Sequence, residues 1–172
     1  MSDHNDRWNN PPQVPTDPSA FKRLRLAQTF LLTYRAIPIV LMGDEFGMPG
    51  GGDPDNRRMM KFGNDLTALQ KQTLQVFSAL GKARAAHTAL RRGGRSTLAV
   101  ENEFYAYART DGSDVAVVVM NLSQNPVSRS VDVSSLGASG TLTDVVSGGS
   151  VPVSGGHIAV NLDSQSAALY VR

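Results

Sequence analysis

The sequence predicts an α+β chain in two unlike parts, helical at the front and antiparallel β at the back. Three observations carry that expectation. Near Gly93-Gly94 the pattern changes from helical periodicity to short β-rich runs punctuated by Gly, Ser, Asn and Asp. A short apolar run, residues 37–42, stops at Gly43 and hands over to Asp44, Glu45 and a glycine-rich loop. Beyond residue 94, seven short strand candidates follow one another at regular spacing, as in an antiparallel sandwich.

The elements follow in order. The start, Met1-Ser2-Asp3-His4-Asn5-Asp6-Arg7, is polar and lacks the apolar core of a signal peptide, which tilts the expected location toward the cytoplasm. Residues 11–18 hold four prolines and form an extended connection. Ser19 is the expected helix cap, and Phe21, Leu24, Ala27, Leu31 and Tyr34 recur at helical spacing after it. Residues 37–42 show no alternation, as expected of a strand buried on both faces. A second helix is expected from Asn64 or Asp65 to just before Gly93, with Leu66, Leu69, Leu74, Phe77, Leu80 and Ala83 as its apolar stripe. Arg91 and Arg92 suit the negative end of its dipole. The strand candidates are 97–100, 104–109, 115–121, 128–133, 141–144, 157–161 and 168–171, and Asp111-Gly112 signals a hairpin between the second and third.

Composition excludes several classes of function. With 17 basic and 15 acidic side chains the net charge is only +2, and no basic stripe is interleaved with aromatics, so nucleic acid is not an expected partner. The longest apolar run, residues 36–42, is too short to span a bilayer, so no membrane association is expected. There is no cysteine, which removes disulfides, thiol nucleophiles and thiolate metal sites together. No His-x-x-x-His or similar spacing suggests a metal, and no cofactor is expected in the chain.

Several motifs, taken together, give the sequence a family likeness. The run Tyr34-Arg35-Ala36-Ile37-Pro38-Ile39-Val40-Leu41-Met42-Gly43-Asp44-Glu45 resembles the eighth barrel strand of the α-amylase family of glycoside hydrolases. Gly52-Asp53-Pro54-Asp55-Asn56-Arg57-Arg58 is similar to the loop after that strand in the maltogenic amylase, cyclomaltodextrinase and neopullulanase branches. Ser2-Asp3-His4-Asn5-Asp6-Arg7-Trp8 resembles the motif at the seventh strand, normally Asn-His-Asp followed closely by Arg. The resemblance covers essentially the whole chain. It implies the C-terminal third of such an enzyme: residues 1–92 would be the end of a (β/α)8 barrel, with two helices and one barrel strand, and residues 93–172 an all-β sandwich domain.

It also implies a chemistry. Retaining hydrolysis of a glycosidic bond uses two carboxyl groups about 5 Å apart, one as nucleophile and one as acid and then base. In the family these lie on the fourth and fifth barrel strands, which have no counterpart in this sequence, so the chain is not expected to be active alone. A third carboxylate, which supports the distorted sugar, would be Asp6, with Asn5 occupying the alternative aligned position. His4 would contact sugar hydroxyls; otherwise it is an exposed terminal histidine. Asp53 and Arg57 match positions that clamp a glucose unit, offering acceptors and donors to vicinal hydroxyls. Their bland alternative is an ion pair that stiffens the loop. Asp44 and Glu45, as neighbours on a strand, point to opposite sides and do not make a catalytic pair. Calcium is left to a complete enzyme. The expected partners are an α-glucan or maltooligosaccharide, and either the N-terminal part of the barrel or a self-association partner. The competing function is a non-catalytic carbohydrate-binding or assembly module that keeps the loop.

Overall fold

The computed structural model describes residues 11–172. The element order is α1 (Pro18–Thr33), α2 (Ala68–Ala86), α3 (Thr88–Arg92), and then eight strands. These are β1 (Gly94–Val100), β2 (Phe104–Asp111), β3 (Asp114–Asn121), β4 (Val127–Asp132), β5 (Thr141–Asp144), β6 (Ser150–Pro152), β7 (His157–Leu162) and β8 (Ser166–Val171). All pairings are antiparallel, in a six-stranded sheet ordered β1-β2-β3-β8-β5-β6 and a two-stranded sheet β4-β7. The expected mixture of helices and antiparallel sheet is what forms.

Alternation along the strands sorts side chains into two cores. Phe104, Ala106, Val115, Val117, Val119, Ala168 and Tyr170 face inward and meet Val131, Ile158, Val160 and Leu162 of the small sheet. The alternate positions Tyr107, Ala116, Val118, Met120, Leu169 and Val171 face the other way, against Leu26, Leu32, Leu80, Ala83 and Leu90 of the helices. The large sheet is therefore covered on both faces, which explains the unbroken apolar run of β3, buried from Val115 to Asn121. Asp111 pairs with Asp114 at the end of the β2–β3 ladder, and Gly112 takes the positive φ of 61° that the tight hairpin requires.

Gly93 joins the helices to β1. A Cβ there would lie 2.5 Å from the carbonyl oxygen of Ala89 and 2.6 Å from that of Thr110, so only glycine fits.

Several expectations are corrected. Residues 37–41 belong to no helix or sheet, and instead of being buried Ile37, Ile39 and Leu41 are 89%, 85% and 59% exposed. The cause is the lack of any neighbouring strand among the described residues to hydrogen-bond either edge. Asp17, not Ser19, caps α1: its carboxylate accepts the Ser19 N–H, and Pro18 takes the first turn. The single helix expected from residue 64 to 92 is a 3-10 turn, Gly63–Asp65, followed by α2 and α3 with a break at His87. β6 was not anticipated, because Ser150–Pro152 is only three residues long and ends on proline. No helix among the described residues is long and apolar enough to cross a membrane.

Candidate functional site

The loop that leaves residues 37–42 is built by buried amides and a charged turn. Asp44 accepts the N–H of Leu41 on its carboxylate at 3.0 Å, while its own N–H donates to the Leu41 carbonyl, so the two close a reciprocal turn. From α1 the buried Gln28 donates Nε2 to the carbonyls of Asp44 at 2.8 Å and Glu45 at 3.2 Å. From α2 the buried Gln70 donates to the Gly47 carbonyl at 3.4 Å. Phe46, only 1% exposed, plugs the space beneath. These contacts fix the turn to both helices and leave Asp44 a structural carboxylate.

Asp55 organises the second half of the loop. It accepts the Gly51 N–H at 2.7 Å and takes Arg58 in a bidentate pair, Nε at 2.8 Å and Nη2 at 2.7 Å. The remaining guanidinium nitrogen, Nη1, reaches the Pro12 carbonyl at 2.8 Å and ties the proline-rich connection to the loop. The hydrogen bond from Asp55 holds Arg58 above the ordinary guanidinium value against the opposing effect of burial. Gly50 lets the chain double back: a Cβ there would sit 2.9 Å from Cα of Asn56.

On this platform Asp53 and Arg57 stand out into solvent. Their side chains are 61% and 75% exposed, and Arg57 Nε lies 2.8 Å from Asp53 Oδ1. An exposed pair of this kind adds little to stability, and the two groups present an acceptor and a planar donor fork on one surface. Beside the loop is a shallow cleft of about 330 Å³ lined by Pro12, Gln13, Phe21, Leu24, Met48 and Pro49. A larger groove of about 870 Å³ runs along the free flank of α2, past Leu66, Leu74, Lys82 and Val145, and does not include Asp53 or Arg57.

Of the sequence-predicted site residues, Asp53 and Arg57 are brought together. His4, Asn5 and Asp6, and Trp8 with them, lie outside the described residues. Glu45 takes part through its backbone carbonyl, which accepts from Gln28. Among the described residues no group of three or more His, Cys, Asp or Glu side chains could hold a metal. The loop-holding roles of Arg58, Gln28 and Gln70 were not legible. Arg58 stands three residues after Asp55, a spacing that could have signalled its pair, whereas a glutamine inside a helix carries no such signal.

Comparison with known proteins agrees with this geometry. Residues 95–169 match the family described as Maltogenic Amylase, C-terminal domain. The chain is 32% identical over 151 residues to a β/α-amylase of Paenibacillus polymyxa, covering 87% of this chain and 12% of that protein. It is 34% identical over 143 residues to a cyclomaltodextrin glucanotransferase of Bacillus licheniformis, covering 80% of this chain and 19% of the relative. An α-amylase of Geobacillus thermoleovorans, solved in complex with acarbose, superposes with a TM-score of 0.75 at 27% identity, over 91% of this chain and 34% of the other. The chain thus spans less than a fifth of these curated relatives and about a third of the solved chain. The matches run across both the helical part and the sandwich of this chain. The chain belongs to the α-amylase family and corresponds to the C-terminal region of its members.

Proposed function

We propose that the chain supplies the last barrel segment and the accessory β-domain of an α-amylase-type glycoside hydrolase that cleaves α-1,4-glucans, maltooligosaccharides or cyclodextrins with retention of configuration. The nucleophilic Asp and the acid/base Glu come from barrel strands outside this sequence. Residues 1–92 contribute the barrel end and residues 93–172 the sandwich. Asp53 and Arg57 clamp a glucose unit, while His4 and Asp6 approach the reacting sugar from the preceding motif.

The observation that carries this is the exposed apolar segment. Ile37 and Ile39, almost wholly in water, sit on a segment paired with no strand among the described residues, ahead of the Asp53 loop. A solvated strand has no use for such side chains; a strand inside a parallel barrel does.

Calorimetry and a reducing-end assay with maltoheptaose and β-cyclodextrin test the proposal. The chain alone should release no product. It should bind maltoheptaose weakly, and Asp53→Ala or Arg57→Ala should lower that affinity about tenfold, the loss of one or two sugar hydrogen bonds. Turnover by the chain alone, free of contaminating amylase, would overturn the assignment of the bond-breaking carboxylates elsewhere. Unchanged affinity in both variants would remove the clamp.

A further inference from the structure

Three helices end at one place, and arginines from elsewhere in the chain serve their carbonyls. α1 carries no basic residue in its last turn. Instead Arg84 of α2 donates Nη1 to the carbonyls of Leu32 at 2.8 Å, Leu90 at 2.7 Å and Tyr34 at 3.4 Å, and Nη2 to Ala36 at 2.7 Å. Arg109 of β2, fully buried, donates Nη1 to Thr33 at 2.6 Å, Nη2 to Gly93 at 2.9 Å and Nε to Gly94 at 3.3 Å. Arg91 closes α2 by donating to the carbonyls of Arg84 and Ala85.

None of these three guanidiniums has a carboxylate within ion-pair distance among the described residues. Helix-terminal carbonyls carry partial negative charge, so a cation among them is favoured without an acid. Desolvation comes first in holding both Arg84 and Arg109 below the ordinary guanidinium value, followed by like charge from Arg91 and Arg84 respectively.

Ala36, itself exposed, is the last residue before residues 37–42. Beyond it, and among the described residues, residues 37–42 are held by the hydrogen bonds that close the turn between Leu41 and Asp44. We propose that Arg84 is a positioning residue: its planar fork, backed by Arg109, fixes the root of residues 37–42 on the sandwich and presents that segment to an incoming strand. The role rests on the proposed barrel partner for its purpose, and its test does not use sugar. A lysine keeps the charge but offers one compact ammonium, which cannot serve the separate carbonyls that the two Nη groups of the planar guanidinium fork reach.

Limited trypsin digestion of the full chain at the Arg35–Ala36 bond reads the grip directly. Arg84→Lys should be cut there about tenfold faster than the wild type, because the local opening loses charge-assisted hydrogen bonds. Cleavage at the other Lys and Arg sites, and the melting midpoint followed by near-ultraviolet circular dichroism, should stay at wild-type values. Arg91→Lys, which changes a guanidinium that touches neither Tyr34 nor Ala36, should be cut at the wild-type rate. The proposal is overturned if Arg84→Lys is cut no faster, if Arg91→Lys accelerates cleavage equally, or if the midpoint of Arg84→Lys falls together with a general rise in digestion. Loss of sugar binding with the Arg84 effect intact would strike the clamp alone.

Discussion

Asp114, at the start of β3, caps a helix from another part of the chain. Its carboxylate accepts from the Ala89 N–H at 2.9 Å and Thr88 Oγ1 at 3.3 Å, and meets His87 Nδ1 at 2.8 Å. Burial by itself would raise the Asp114 carboxyl, but the Ala89, His87 and Thr88 contacts outweigh it and hold the carboxyl below its ordinary value. A carboxyl depressed in the folded state contributes stability that is complete above its unfolded value and is lost as pH falls through the folded one. Wild-type stability, read from urea midpoints, should therefore decline below about pH 4, and Asp114→Asn should be less stable than wild type at pH 7. The gap between the two should narrow as pH drops into that range; a gap that stays constant down to pH 2.5 would remove Asp114 from the account. Residue-level legibility was uneven for a physical reason. Asp53 and Arg57 are four apart, so sequence spacing exposes their pairing, whereas Asp114 and His87 are 27 apart and meet only through the fold.

At the scale of elements, α2 begins on a reciprocal cap. Thr67 accepts the Gln70 N–H at 3.3 Å, and the Gln70 side chain accepts the Thr67 N–H at 3.1 Å. Thr67→Ala should cost about 1 kcal/mol, measured as a shift of the urea midpoint with unchanged slope. The same Gln70 also reaches Gly47, so Gln70→Ala should cost more than Thr67→Ala and loosen the turn around Phe46. Of the helical stripe expected from Leu66 to Ala83, Leu66, Leu80 and Ala83 are buried, whereas Leu69, Leu74 and Phe77 are half-buried and Gln70 and Thr73 take buried places. α2 also starts later than Asn64 or Asp65, since both residue types suit a helix cap but the cap used is Thr67. The seven strand candidates lie on seven of the eight strands formed, since alternation and turn residues are local signals. Whether an apolar run pairs at all is not local. Residues 37–42 have the composition of a barrel strand and stay unpaired, because pairing needs partners that periodicity does not supply.

On the scale of the whole molecule, the exposed apolar segment and the covered sheet obey opposite rules. Ile37→Ser together with Ile39→Ser should leave the melting midpoint nearly unchanged, within about 0.5 kcal/mol, since both side chains are already in water. The same double change should abolish association with a supplied barrel portion, measured by analytical ultracentrifugation; association that survives it would place the contact elsewhere. The architecture of the back half was legible because short, evenly spaced strands leave few alternatives to a sandwich. The stacking of helices on its outer face was not, because the outward positions Tyr107, Val118 and Leu169 differ little in type from the inward ones.

Gly93 gives this stacking a mechanical character. Bare backbone is wedged there between the oxygens of Ala89 and Thr110, and Arg109 grips the carbonyls of Gly93 and Gly94. Such a joint is a weld, not a tether. A push delivered to the loop around Asp44 and Gly47 should therefore travel through α1 and α2 into the sandwich with little slack to absorb it.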